Sequence, residues 1–336
     1  MERKPNHIAP ILDKFGRKHD YLRISLTERC NLRCFYCMPE EGVQLREKSV
    51  FMSSEEVIAI AKNFVDLGIT KIRLTGGEPL VKKDVGNIIE ALGQLPIELA
   101  ITTNAVNVDQ YIDVLKKAGV KSINVSLDSL IAERFNAISR RSYFDRIMSN
   151  IELLLAHDFD VKINVVVIKG TNDDEIIDFI QWTKNTAINI RFIEFMPFDG
   201  NNWDWEKKVS FQEIIRRVES EYGSDGYQKI EDAANDTSRN YKLKDSQGTF
   251  GIISSVTNPF CDTCNRIRLT ADGKIKNCLF SKEESDILTA YRNNENLEPI
   301  IRAAIQSKHP ERGGNVAFKA LTQADIKNRS MITIGG

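Results

Sequence analysis

The stretch SSEEVIAIAKNFVDLGITKIRLTGGEP, residues 53–79, holds one complete helix–strand unit. Ser53 or Ser54 can cap a helix whose apolar side chains, Val57, Ile58, Ile60, Ala61, Phe64 and Val65, recur at helical spacing until Gly68 stops it. Ile69 to Leu74 then reads as a strand, closed by Gly76-Gly77-Glu78-Pro79. The unit repeats outward. Upstream, Tyr21-Leu22-Arg23-Ile24-Ser25-Leu26 alternates like a short strand ahead of a cysteine-rich loop. Downstream, helices at 84–92, 109–118, 131–138 with 143–157, and 173–183 alternate with strands at 97–102, 122–127, 161–168 and 190–195, and a further helix covers 211–221. Six strands, each followed by helical material, imply an α/β fold with a parallel sheet and covering helices. The pattern alone leaves an open doubly wound sheet and a partial barrel both standing.

From about Gly223 the rhythm fails. Residues 223–248 are polar and glycine-containing and read as a boundary, which divides the chain into 1–222 and 223–336. The second part carries a CxxC hairpin, helical stretches near 283–292 and 298–307, and a loose glycine-rich tail.

At 336 residues the chain can bury roughly three quarters of its unfolded surface, so no metal or disulfide staple is needed merely to fold. Lys plus Arg number 46 against 47 Asp plus Glu, a formal charge of −1. That balance argues against a bulk electrostatic grip on nucleic acid or an acidic membrane, and any anion must be held by a local group of bases. No apolar run approaches the ~20 residues of a membrane helix. Met1 to His7 lacks the apolar core of a secretory signal, so a cytoplasmic location is expected. Cytosolic thiols stay reduced, which makes the six cysteines candidate ligands rather than cross-links.

Those cysteines form two triplets, Cys30, Cys34, Cys37 and Cys261, Cys264, Cys278. Three thiolates on one tight loop can hold three irons of a cubane cluster, where an ordinary cluster uses four. The remaining iron is then open to another ligand, the arrangement of catalytic metal sites. Disulfides conflict with a reducing compartment. Structural zinc stays as the alternative, more for the second triplet than the first, but it needs a fourth ligand, and His7, His19, His157 and His309 are all distant in sequence from both triplets.

Cys30-Asn31-Leu32-Arg33-Cys34-Phe35-Tyr36-Cys37 resembles the signature of the radical S-adenosylmethionine (SAM) enzymes. The resemblance implies that the open iron chelates SAM, that Tyr36 contacts adenine through its backbone, and that the loop containing Gly77 meets the methionine ammonium. Further stretches are similar to the GTP 3′,8-cyclase family of molybdenum cofactor biosynthesis: residues 21–25, 71–79, 124–128, 191–197, 261–270 with Cys278, and 329–336. The match runs through essentially the whole chain in family order. It implies a partial parallel (β/α)6 TIM-type barrel with a C-terminal cluster domain, two 4Fe-4S clusters, and SAM bound near Ser126 and Met196. Arg23, Lys71, Arg73, Thr102, Lys162, Arg191, Arg266 and Arg268 match positions for GTP. Lys71 and Arg73 also stand two apart on a strand, so they share a face. The tail, with Arg329, Gly335 and Gly336, is expected to enter the active site. Two departures stand out: Ala105 follows Thr102-Thr103-Asn104 where a glycine is expected, and residues 309–314 depart from the family pattern. Neither is expected to touch the cysteines.

The implied reaction takes the C3′ hydrogen of GTP with a 5′-deoxyadenosyl radical, closes the carbon radical onto C8 of guanine, and ends with one electron and one proton. The second cluster would hold the guanine base. The family further implies a homodimer, a flavodoxin- or ferredoxin-type electron donor, and hand-off to cyclic pyranopterin synthase. Two rival readings are another radical SAM enzyme with an auxiliary cluster, such as a peptide-modifying maturase, and a non-enzymatic iron–sulfur or zinc module that binds nucleotide.

Overall fold

The computed structural model describes residues 9–38, 46–315, 318–320, 326 and 328–336. Six parallel strands form its centre: β1 (Tyr21–Ser25), β2 (Lys71–Thr75), β3 (Glu98–Thr103), β4 (Ser122–Ser126), β5 (Asp160–Val167) and β6 (Asn189–Glu194). Between and after them run α1 (Ser54–Asp66), α2 (Val85–Gly93), α3 (Ile112–Lys117), α4 (Ala132–Ser139), α5 (Phe144–Ala156), α6 (Ile176–Trp182) and α7 (Phe211–Tyr222). The strands lie side by side in chain order, β1 to β6, with no reversal. A doubly wound sheet reverses its order at a switch point. Unbroken order with right-handed crossovers puts every helix on one face, which makes this a partial TIM-type barrel.

The two faces of each strand divide the work. Leu22, Ile24, Ile72, Leu74, Ile101 and Ile123 point outward and are buried under the helices. Helix α1 answers with Val57, Ile60, Ala61 and Phe64, and a reciprocal Ser53–Glu56 capping box starts it. Truncating Phe64, which is fully buried, to Ala would cost about 3–5 kcal/mol. The inward face is polar: Arg23 is level with Arg73, and Thr102 is level with Asn124 and Lys162.

The C-terminal part adds to this sheet. Strands β7 (Tyr227–Lys229), β8 (Arg239–Leu243) and β9 (Thr249–Ile253) extend one edge through a parallel β6–β9 pair. Strands β10 (Arg266–Leu269), β11 (Lys274–Lys276) and β12 (Ser285–Asp286) extend the other through a parallel β1–β10 pair. The polar stretch 223–248 therefore carries two strands. Tyr227 and Tyr241 hold them against Phe250, with ring centroids 5.5–6.5 Å apart. Helix α8 (Leu288–Arg292) is shorter than the sequence implies, because residues 285–286 pair with β11 first. Helices α9 (Leu297–Gln306) and α10 (Met331–Ile334) follow. The tail is ordered as α10, not loose. Among the described residues no helix is long and apolar enough to cross a membrane.

Candidate active site

The polar inner face encloses a cavity of about 540 Å³ lined by all six cysteines, by Arg23, Arg73, Arg191, Arg266 and Arg268, and by Gly336. Strand direction fixes where the triplets sit. Cys30, Cys34 and Cys37 follow the C-terminal end of β1. Cys264 precedes the parallel β10 by two residues, and Arg266 pairs with Tyr21, so it lies at the opposite end of the same strand pair. Cys278 follows the antiparallel β11 back to that end. A five-residue strand, about 15 Å long, separates the two.

Around the first triplet the loops are tied together by buried carboxylates. Glu78, 1% exposed, accepts from Leu80 N–H (3.0 Å), Thr103 Oγ1 (2.7 Å) and Asn104 N–H (2.6 Å). Burial outweighs these bonds and raises its carboxyl to about 7. Gly77 allows the approach: a Cβ there would stand 2.5 Å from the Arg29 carbonyl oxygen. The Tyr36 hydroxyl donates to Asp128 at 2.5 Å, and burial raises Asp128 to about 6. Ser126 and Met196 line the same cavity. Asn104 places its amide 3.7 Å from Cys30 Sγ, so this loop does reach the cysteines, against the expectation. Ala105 takes a left-handed φ of 61°, the conformation for which glycine was expected. Asn150 on α5 holds it there through the Ala105 carbonyl at 2.7 Å.

Cations crowd the middle and far end. Arg73 donates to Tyr21 Oη at 2.7 Å and to the Ile101 carbonyl at 2.8 Å. Burial lowers Arg23 to about 10; Tyr21 opposes this, while Arg73, Arg266 and Arg191 add to it. Burial and then Arg73 lower Arg191 to about 10, and burial followed by Arg23 lowers Arg268 as well. Guanidinium groups keep their charge at neutral pH, so these shifts measure how strongly the site needs an anion. Arg23 Nε, Arg266 Nη2 and Thr102 Oγ1 are buried without a hydrogen-bond partner among the described residues. Lys71 and Lys162 stand nearer the rim, paired with Glu98 (2.6 Å) and Asp160 (2.8 Å).

The second triplet is wrapped by chain from far away. Burial raises the Cys264 thiol, but Arg266 and Lys308 reverse this and bring it to about 6. Arg312 points its backbone N–H at Cys261 Sγ (3.4 Å). The 309–314 segment thus also contacts the cysteines, which corrects the second expectation. At the tail, Arg268 donates to the Gly335 carbonyl at 2.6 Å. Gly335 has φ 87°, and a Cβ on it would meet Thr75 Oγ1 at 2.6 Å. Arg329 is not at the cavity: it makes a two-pronged pair with Asp272 (2.9 and 3.1 Å) and contacts Glu284.

Sequence reasoning quoted Glu78, Asn124 and Asp128 within its motifs and Arg312 within 309–314 without giving them a role, and it missed Asn164 and Lys308. Asn124 and Asn164 line the cavity and share the inward face with Lys162, so alternation along β4 and β5 could have found them. Lys308 and Arg312 reach their sulfurs across more than forty residues, and no local pattern marks them.

All six cysteines are free thiols. Burial raises Cys30 to about 11 and Cys37 to about 12, so metal binding at the first triplet has to expel protons. Among the described residues no group of three or more His, Cys, Asp or Glu side chains is arranged to hold a single ion.

Residues 24–183 match the radical SAM superfamily, and residues 188–313 match the family described as Molybdenum Cofactor Synthesis C. A Listeria monocytogenes protein named GTP 3′,8-cyclase is 43% identical over 97% of this chain and 99% of its own. The mitochondrial GTP 3′,8-cyclase of Arabidopsis thaliana is 44% identical over 99% of this chain and 85% of its own. Molybdenum cofactor biosynthesis protein 1 of Dictyostelium discoideum is 43% identical over 97% of this chain, which spans only 52% of that longer protein. A SAM-bound structure of Streptococcus suis SuiB superimposes with a TM-score of 0.62 over 92% of this chain and 72% of that one; at 15% identity it supports the fold alone. Nearly full-length likeness to proteins named for the reaction, with the cysteine loops and the basic wall in place, shows that this chain belongs to the GTP 3′,8-cyclase family of radical SAM enzymes.

Proposed function

We propose that the chain converts GTP to (8S)-3′,8-cyclo-7,8-dihydroguanosine 5′-triphosphate, the first step of molybdenum cofactor biosynthesis. The observation that carries this reading is one cavity with a cysteine triplet at each end and, between them, buried arginines of which Arg23 Nε and Arg266 Nη2 have no hydrogen-bond partner among the described residues. Bound 4Fe-4S clusters and SAM supply the one-electron cleavage that yields a hydrogen-abstracting 5′-deoxyadenosyl radical.

The chain's own part is placement. Cys30, Cys34 and Cys37 hold one cluster at the C-terminal strand ends, and Tyr36, Gly77, Ser126 and Met196 seat SAM there. Cys261, Cys264 and Cys278 would hold the second cluster, with the guanine base bound beside it. Arg23, Arg73, Arg191, Arg266 and Arg268, with Thr102, Lys71 and Lys162, take the triphosphate and ribose. A triphosphate carries about four negative charges, and charge-assisted bonds to it are the strong kind. Gly335 packs beside Ser25 and Thr75 and Gly336 lines the cavity, so the tail would help to keep water out of the site. Arg329 anchors that tail through Asp272 and does not touch the reacting atoms. A cytoplasmic location, a homodimer, a flavodoxin- or ferredoxin-type donor and delivery to cyclic pyranopterin synthase complete the reading.

The test is anaerobic reduction of the reconstituted chain with SAM and GTP, followed by mass identification of the nucleotide. The cyclic dihydro-nucleotide is expected, one per SAM consumed. SAM cleavage with GTP left intact, or modification of a peptide in place of GTP, would contradict it.

A further inference from the structure

Lys308 follows α9 and is 3% exposed. Its Nζ lies 3.4 Å from Cys264 Sγ and 3.1 Å from the Arg266 carbonyl oxygen. Burying an ammonium costs several kcal/mol unless an anion compensates it. Among the described residues no carboxylate lies within ion-pair distance of it. Its charged and titratable neighbours add no negative charge. Arg266 is a second cation beside the same sulfur. His19, whose ring faces Asp13 at 3.1 Å, is held neutral, brought to about 4 by burial and then by Lys308 itself. Asp13 is already shared between His19 and Arg17. Among the described residues, the sulfur set it touches is what is left to balance Lys308 with negative charge.

We propose that Lys308 is the fixed counter-ion of the Cys261–Cys264–Cys278 site, holding Cys264 in place and favouring the reduced state of the cluster bound there. The assignment rests on the two-cluster reading above. Each electron taken from a low-potential one-electron reductant adds one negative charge to the site, with no bond made or broken. A buried cation in contact with a ligating sulfur stabilises that added charge, as hydrogen-bond donors to the ligands do at other metal sites. Lys308 acts through Cys264 and not on substrate, so it is a positioning residue.

The test is a redox titration of the anaerobically reconstituted full chain, followed by electron paramagnetic resonance, with Cys264→Ser identifying the signal of the second triplet. Lys308→Met is expected to move that midpoint to more negative potential, changing the oxidised-to-reduced ratio at fixed potential by about tenfold, or about 59 mV for one electron. The signal from the first triplet should stay where it is, and Lys308→Arg should restore the second. If Lys308→Met sheds the cluster instead, about four irons per chain in that variant against about eight in Lys308→Arg support the same role, because only the charge differs. Full iron with an unmoved midpoint in Lys308→Met, or equal iron loss in both variants, overturns the assignment. A wild-type chain holding about four irons, or zinc at the second triplet, overturns the two-cluster reading itself, and shows it before any variant is made.

Discussion

Arg23 ends in a guanidinium whose Nε is buried without a hydrogen-bond partner among the described residues, and burial, with three other arginines adding to it, depresses its proton affinity. A group so placed is incomplete without an anion. Arg23→Gln should therefore weaken equilibrium binding of GTP roughly 10- to 100-fold, the scale of about 1.5–3 kcal/mol for a hydrogen bond to a charged group. SAM binding should be untouched, and an equal loss for unphosphorylated guanosine would show that Arg23 does not read phosphate. Glu78 makes a pH prediction. Its folded value of about 7 lies above the ordinary 4.5, so the folded state binds the proton more tightly than the unfolded chain. Its contribution to stability is complete below pH 4.5 and is lost as pH rises through 7. Denaturant titration of the metal-free chain should show Glu78→Gln flattening the fall in stability across that window; an unchanged slope would reject the assignment. Residues such as Arg23 and the cysteines were legible because short motifs carry them. Lys308 and Arg312 were not, because their partners are brought close only by the fold.

At the scale of elements, helices and strands that pack one face against the core announced themselves. Ser53 and Ser210 start α1 and α7 with full capping boxes, and alternation marked the six central strands. Strands β7 and β8 stayed hidden because they lie at the sheet edge, where Gln228, Lys229 and Arg239 are exposed and only Tyr227, Tyr241 and Leu243 face the core cluster. The choice between barrel and open sheet was beyond local pattern, since it depends on strand order. The tail was expected at the site from the family resemblance, but its local form was read as loose: α10 and the Arg329–Asp272 pair aim Gly335 between Ser25 and Thr75. Gly335→Ala combines a left-handed φ of 87° with a contact of 2.6 Å, so the alanine should displace the tail. SAM binding should survive while the yield of cyclic nucleotide falls at least tenfold, as product assay against SAM-binding calorimetry would show. Full yield would mean that the tail does not line the working site.

Across the whole molecule, one continuous sheet sets two cysteine sites at opposite ends of the β1–β10 pair, with a polar passage between them. An ordinary barrel fills its interior with branched apolar side chains. This one turns Arg, Asn, Thr and Lys inward, and the apolar contribution to stability comes from the helix-covered outer face. That division allows a long anionic nucleotide to lie along the barrel axis with its sugar toward one site and its base at the other. The most direct test is electron paramagnetic resonance of the reduced, reconstituted chain with SAM alone and with GTP alone. SAM should alter only the signal that Cys34→Ser abolishes, and GTP only the signal that Cys264→Ser abolishes. If both molecules perturb the same signal, or GTP perturbs neither, the two ends of the cavity do not share the task in this way.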